Sequence, residues 1–248
     1  MKIFINDKEC LAADGQSLLE VALENGFFIP SLCFNKELGQ LAGCRLCVAE
    51  LKGEDWSKLV ASCEYPVKDG QKFYLNTQKV VKSRKMSASL LLARAPGSKE
   101  VLEKVLKEEV ESKFVPRKTH LENCLLCGRC YRTCQKQGTG AISIVGRGAE
   151  QSVETPYVVQ NEDCIACLAC AEACPTGAIE VFRSETQVGI WHKKHDLVAC
   201  PVCGVKHITQ KAIDFLSKKS NIPAQELALC PKCRNEKTSN ALLTGFSQ

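Results

Sequence analysis

An α+β chain built from several small metal-binding domains is predicted by three observations. The 248 residues carry 17 cysteines, spread from Cys10 to Cys233, and twelve of them fall in C-x2-C steps. The first 26 residues read as strand, turn, strand and helix. A cysteine-free stretch with helical spacing then separates the amino-terminal cysteines from two copies of one longer cysteine motif.

Composition narrows the class. An odd number of cysteines at this spacing suits metal thiolates better than disulfides. The start, MKIFINDKEC, lacks the apolar stretch of a signal peptide, and no window of 18 apolar residues is present to cross a bilayer. A reduced, cytoplasmic location with no transmembrane segment is expected. The formal charge of +5 counts every thiol as neutral. Four sites of four thiolates would each carry about −2 and bring the total to about −3. The basic residues are therefore read as offsetting buried anionic centres, and the charge says little about nucleic acid.

Residues 1–77 form the first expected domain. Lys2 to Asn6 alternates as a strand, Asn6-Asp7 turns, and Glu9 to Ala12 returns. Ser17 with Glu20 three residues on makes a capping box for a helix whose stripe is Leu18, Leu19, Ala22 and Leu23, ended by Gly26. Cys33, Cys44, Cys47 and Cys63 follow as C-x10-C-x2-C-x15-C, before a turn at Asp69-Gly70 and a closing strand from Lys72 to Leu75. Soft thiolates suit iron or zinc, and Gly39 and Gly43 let backbone N–H groups approach such a centre. Met1 to about Leu75 resembles the β-grasp [2Fe-2S] domain of the large iron–sulfur subunit of respiratory complex I and of NAD-linked and [FeFe] hydrogenases. The resemblance implies a [2Fe-2S] cluster on Cys33, Cys44, Cys47 and Cys63; zinc on the same residues is the alternative. Cys10 lies outside the pattern and is expected to be a buried free cysteine.

Residues 78–115 form a helical connector, broken at Ala95-Pro96-Gly97-Ser98 into two helices. Relatives of the resembling family place a cluster of one histidine and three cysteines directly after the β-grasp domain. Here no cysteine lies between Cys63 and Cys124, so that cluster is not expected. His120, near Cys124, is read as a non-ligand.

Residues 116–190 hold the strongest signal. Cys124, Cys127, Cys130 and Cys134 repeat the C-x2-C-x2-C-x3-C spacing of Cys164, Cys167, Cys170 and Cys174, the second run ending in Pro175. Two [4Fe-4S] clusters are expected, each taking its fourth ligand from the other run. That assigns Cys124, Cys127, Cys130 and Cys174 to one cluster, and Cys134, Cys164, Cys167 and Cys170 to the other. Gln135 stands where a proline would follow Cys134. An enlarged hairpin of Ala141–Val145 and Tyr157–Gln160 fills the interval, and Val145-Gly-Arg-Gly148 is too short for a dinucleotide fingerprint. The block from Arg117 through Cys134 resembles the ferredoxin-like domain of [FeFe] hydrogenases and their complex I relatives. The chain is too short to hold their catalytic domain as well.

Residues 191–248 carry Cys200-Pro-Val-Cys203-Gly and Cys230-Pro-Lys-Cys233 around an expected helix from Ile208 to Leu216. Paired C-P-x-C knuckles fit tetrahedral zinc in a small zinc-ribbon-like module; a third [4Fe-4S] cluster is the alternative. His192 and His195 are read as solvated histidines.

The expected function is electron relay within a multisubunit NAD(P)-linked oxidoreductase, the electron-bifurcating kind included, with the chain itself non-catalytic. Its partners are a flavin-containing, NAD(P)-binding subunit and a ferredoxin or further redox subunit. The nearest alternative is the electron-transfer subunit of an NAD(P)-linked hydrogenase or formate dehydrogenase. A metal-stabilised scaffold or nucleic-acid-binding protein is the alternative of a different class.

Overall fold

A computed structural model describes residues 1–116 and 122–245, with the side chains of Ala149 and of residues 240–245 left aside. His120 and Arg117 lie outside the described residues. The chain divides into two units: one runs from Met1 to Arg132 and takes in Cys174–Ala178, the other comprises Thr133–Ala173 and the chain from Ile179 onward.

The first unit begins with β1 (Lys2–Ile5) and β2 (Lys8–Leu11), joined by Asn6 and Asp7, both left-handed as a two-residue hairpin turn requires. Next comes α1 (Leu18–Glu24), where Ser17 accepts from Glu20 N–H and the Glu20 side chain caps Ser17 in return, the expected capping box. β3 (Val48–Lys52), β4 (Ser57–Ala61) and β5 (Lys72–Tyr74) complete a sheet of order β2-β1-β5-β3-β4. Its one parallel pair is β1 with β5. Ile3, Ile5 and Phe73 meet Leu18, Leu19 and Ala22 of α1 in a fully buried core. Burying one such large side chain contributes about 1.5–3 kcal/mol.

Two helices follow, α2 (Gln78–Arg94) and α3 (Lys99–Leu106), separated at Pro96–Ser98 as the sequence implies. Ser98 is buried and donates to Asn123 O at 2.7 Å, which ties the break to the strand of chain leading into Cys124. Leu92, Leu102 and Leu106 pack in one apolar cluster with Leu46, Cys33 and Cys44 and with Leu125 and Cys127.

α4 (Arg129–Gln137) leads into the second unit. There β6 (Ser143–Val145) pairs with β7 (Ser152–Glu154), not with 157–160 as expected: Pro156–Val158 is a helical turn whose residues Tyr157 and Val158 are left-handed. After α5 (Ala169–Glu172) come β8 (Phe182–Arg183), β9 (Gln187–Ile190), β10 (Lys193–Ala199) and β11 (Lys206–Thr209), an antiparallel sheet of order β11-β10-β9-β8. The helix expected from Ile208 starts later, as α6 (Gln210–Ser220), because Ile208 belongs to β11 and Thr209 caps the helix by accepting from Ala212 N–H. α7 (Ala224–Leu227) and α8 (Pro231–Gly245) end the described chain. Among the described residues no helix is long and apolar enough to cross a membrane.

Candidate metal centres

One backbone device recurs in the cysteine loops. The amide two residues beyond a cysteine donates back to its sulfur, Leu46 to Cys44, Leu126 to Cys124 and Ala166 to Cys164. Left-handed backbone occurs in the same three loops, at Arg45, Leu126 and Ala166. An N–H aimed at sulfur favours the thiolate, the form that binds metal.

Cys33, Cys44, Cys47 and Cys63 are each at most 6% exposed. Cys47 precedes β3 and Cys63 follows β4, so the β3–β4 hairpin brings their sulfurs to 3.4 Å. Bonds from the Cys44 and Cys63 thiols, helped by the Gly43 and Cys44 amides, hold the Cys33 thiol far below its ordinary value. Cys47 is lowered to about 7, chiefly by its bond from Cys63. Cys44 and Cys63 are pushed up in turn, Cys44 chiefly by its bond with Cys33 and Cys63 by its bonds with Cys33 and Cys47. Four buried sulfurs linked in a chain of contacts, with amides turned toward them, fit a soft metal centre. Two arginines of α4 brace the loop that carries Cys33. Arg132 donates to the carbonyls of Cys33, Leu38 and Gly39, the last at 3.0 Å, and Arg129 to that of Phe34 at 3.3 Å. Cys10 is buried and free, as expected, and packs in the same apolar core as Cys47 and Cys63.

Cys174 falls in the same unit as Cys124, Cys127 and Cys130. Burial pushes Cys130 up to about 12, and the charges of Cys127, Cys124 and Cys174 add to it. Cys127 is raised by burial first and then by Cys174 and Cys124, against the Arg129 N–H. A cation would relieve this shared repulsion.

Cys134 falls in the unit of Cys164, Cys167 and Cys170, and all four line one cavity. Its remaining wall is apolar apart from Thr139 and Trp191. The loop repeats the first one: Leu168 takes the left-handed place of Gly128, at φ 61° against 71°. Each fourth cysteine meets a threonine hydroxyl, Cys134 with Thr139 at 3.1 Å and Cys174 with Thr176 at 3.5 Å. A cavity walled by four thiols fits a soft metal centre, an iron–sulfur cluster among them.

The sulfurs of Cys200, Cys203, Cys230 and Cys233 lie within 4.8 Å of one another. Gly204, at φ 74°, closes the first knuckle by donating to Cys200 O at 2.9 Å. Pro231 starts α8 immediately after Cys230, where a helix needs no N–H. The amides of Cys230 and Cys203 lower Cys200 to about 6, while bonds with Cys230 and Cys203 raise Cys233 to about 12. His192 and His195 are not among these ligand atoms. His195 is buried in β10, not solvated as expected, because its strand alternation turns it inward. His192 pairs with Glu154 at 3.0 Å.

Sequence reasoning missed Trp191, Thr209 and the arginines of α4. Thr209 Oγ1 donates to Ile165 O at 2.7 Å and so holds the loop of Cys164 to Cys167. The spacing of cysteines carries no signal for such supports.

Residues 1–78 match the 2Fe-2S iron-sulfur cluster binding domain, and residues 123–178 match the 4Fe-4S dicluster domain. The chain therefore carries a 2Fe-2S iron–sulfur cluster binding domain and a 4Fe-4S dicluster domain. It is similar to subunits of NADH-quinone and NADH-ubiquinone oxidoreductases. The 75 kDa subunit of NADH-ubiquinone oxidoreductase of Reclinomonas americana is 27% identical over 72% of this chain and 29% of its own length. The alpha subunit of NADPH-Fe(3+) oxidoreductase of Geobacter sulfurreducens is 26% identical over 82% of this chain and 26% of its own. The chain thus spans little more than a quarter of the length of the curated relatives it matches. A chain of NAD+-reducing [NiFe]-hydrogenase, crystallised in the H2-reduced state, shares the fold with a TM-score of 0.60 at 21% identity, over 90% of this chain and 99% of that one.

Proposed function

We propose that this chain is the non-catalytic electron-transfer subunit of an NAD(P)-linked oxidoreductase of the hydrogenase kind. Of the readings the cysteines allow, this one is favoured over electron bifurcation by a single observation: the fold follows a chain of an NAD+-reducing hydrogenase along nearly the whole of both. Bound iron–sulfur clusters would supply one-electron redox chemistry. The cysteine sets to hold them are Cys33, Cys44, Cys47 and Cys63 for [2Fe-2S], Cys124, Cys127, Cys130 and Cys174 for one [4Fe-4S], and Cys134, Cys164, Cys167 and Cys170 for the other. The chain's own residues bury eight of these twelve cysteines, aim amides at several of them and brace the loops of Cys33 and Cys164 with side-chain hydrogen bonds. Hydride carries two electrons, so a partner subunit with flavin must stand between NAD(P)H and the chain.

For Cys200, Cys203, Cys230 and Cys233 the reading is structural zinc. Their mutual distances suit one ion, since a tetrahedron with metal–sulfur bonds of about 2.3 Å has edges of about 3.8 Å. A four-iron cube would hold its cysteines farther apart.

Anaerobic reconstitution tests both readings. About 10 iron atoms and one zinc per chain are expected, reduced by dithionite and not by NADH or NADPH until the flavoprotein partner is added. About 14 iron and no zinc would overturn the zinc reading. Prompt bleaching by NADH in a preparation free of flavin and of a second chain would overturn the relay reading.

A further inference from the structure

The turn between β9 and β10 breaks a local rule. Ile190 pairs with Lys193, so the two strands are joined by Trp191 and His192 alone, at φ 51° and 63°. Such a turn asks for Asn-Gly, because both residues must be left-handed, and a large aromatic side chain is among the least suited to that backbone. What the turn gains is aim. The Trp191 indole N–H donates to the Cys170 sulfur at 3.4 Å, and the ring forms part of the wall of the cavity that Cys134, Cys164, Cys167 and Cys170 share. Beside it His192 meets the Glu154 carboxylate on β7, which fixes the turn from the other side. Departures from local preference of this kind collect where a side chain has to be placed for function.

We propose that Trp191 is a positioning residue that sets the reduction potential of the [4Fe-4S] centre of Cys134, Cys164, Cys167 and Cys170 through its bond to Cys170. This rests on the cysteine set assigned above. Reduction adds negative charge to the cysteine sulfurs, so a fixed donor at one of them stabilises the reduced state more than the oxidised one and raises the potential. An indole is a donor only, with no second tautomer and no titration in the working range, so the bond holds at any physiological pH. Its ring also excludes water, which would otherwise supply a mobile donor in its place. The first loop has no indole in the corresponding role: backbone amides face Cys124, Cys127 and Cys130, with the charges of Arg94 near Cys124 and Arg129 near Cys127. Two centres with matching cysteine spacing thereby acquire different potentials, which gives the relay a direction.

The test is W191F in the whole chain, reconstituted anaerobically and titrated by electron paramagnetic resonance, with the centre assigned by the loss of its signal in C167S. Phenylalanine keeps the apolar wall and removes the donor. The oxidised-to-reduced ratio of that centre at a fixed potential is expected to rise about tenfold, a fall of about 59 mV for a one-electron couple, with the other two centres unmoved. The control W56F, which changes the exposed Trp56, should shift none of them. W191N/H192G provides a second variant, expected to raise the melting temperature by supplying the preferred turn while lowering the same potential. A wild-type chain with both four-iron centres, whose potentials W191F leaves unmoved or shifts together, overturns the role of Trp191. A wild-type chain with a single four-iron centre overturns the cysteine assignment, and the proposal with it.

Discussion

The buried guanidinium of Arg84, on α2, donates to the carbonyl of Val48 at 2.7 Å, one residue beyond Cys47. Burial lowers the arginine's pKa, and the nearby Cys47 partly restores it. Arg84→Met removes a fixed positive charge beside the [2Fe-2S] cysteines and strands a buried carbonyl. Denaturant titration should show a loss of about 1–3 kcal/mol. The potential of the binuclear centre should fall while those of the tetranuclear centres hold, as read by spectroelectrochemistry.

Gly128 and Leu168 hold equivalent left-handed places in the two repeated loops, and they should respond differently. A Cβ at Gly128 would meet Leu41 Cδ2 at 2.7 Å and Tyr131 Cε1 at 2.8 Å. Gly128→Ala should therefore cost at least the backbone penalty of about 1–2 kcal/mol. Leu168→Gly relieves the same backbone strain, and its melting temperature should stay at or above that of the wild type. A drop after Leu168→Gly would mean that the leucine's place in the cavity wall matters more than its backbone.

Acid should release a carboxylate clamp in the second unit. Glu162 is held down to about 2 by the Lys193 and Lys211 ammonium groups, Lys211 lying 2.7 Å from Oε2. Its folded value lies below the unfolded value of about 4.3, so the stabilisation is full above that pH and disappears as pH falls through about 2. The wild type should melt above Glu162→Gln at pH 6, and the gap should close on acidification. Glu162 is solvent-exposed, so added salt should also narrow the gap.

Cys134→Ser tests the exchange of cysteines between the two runs. Cys134 is four residues from Cys130, yet it shares a cavity with Cys164, Cys167 and Cys170. The substitution should alter the signal of that centre and leave the centre of Cys124, Cys127 and Cys130 intact. Damage confined to the latter would reverse the assignment.

What could be read from the sequence was carried by strong local signals. The Ser17–Glu20 box, the break at Pro96 and the cysteine spacings each specify a geometry with few alternatives. The pairing of β6 with Ser152–Glu154 was hidden because that strand is three residues long and mostly polar, while the more apolar Tyr157–Val159 nearby looked like the better candidate. Ile208 fitted the helical stripe of α6 and the alternation of β11 equally well, and tertiary pairing chose the strand. The β9–β10 hairpin lacks the Asn-Gly that would have announced it, since Trp191 and His192 serve the neighbouring site. Local preference failed where the chain spends conformational energy on function.

Cys33 and Cys44 share one apolar cluster with Cys127, and Arg132 pins the backbone of the first of these loops. The wall of one centre is thus part of the wall of another, and neither loop can open without disturbing its neighbour. Iron delivery to this chain should accordingly be all-or-none across that cluster.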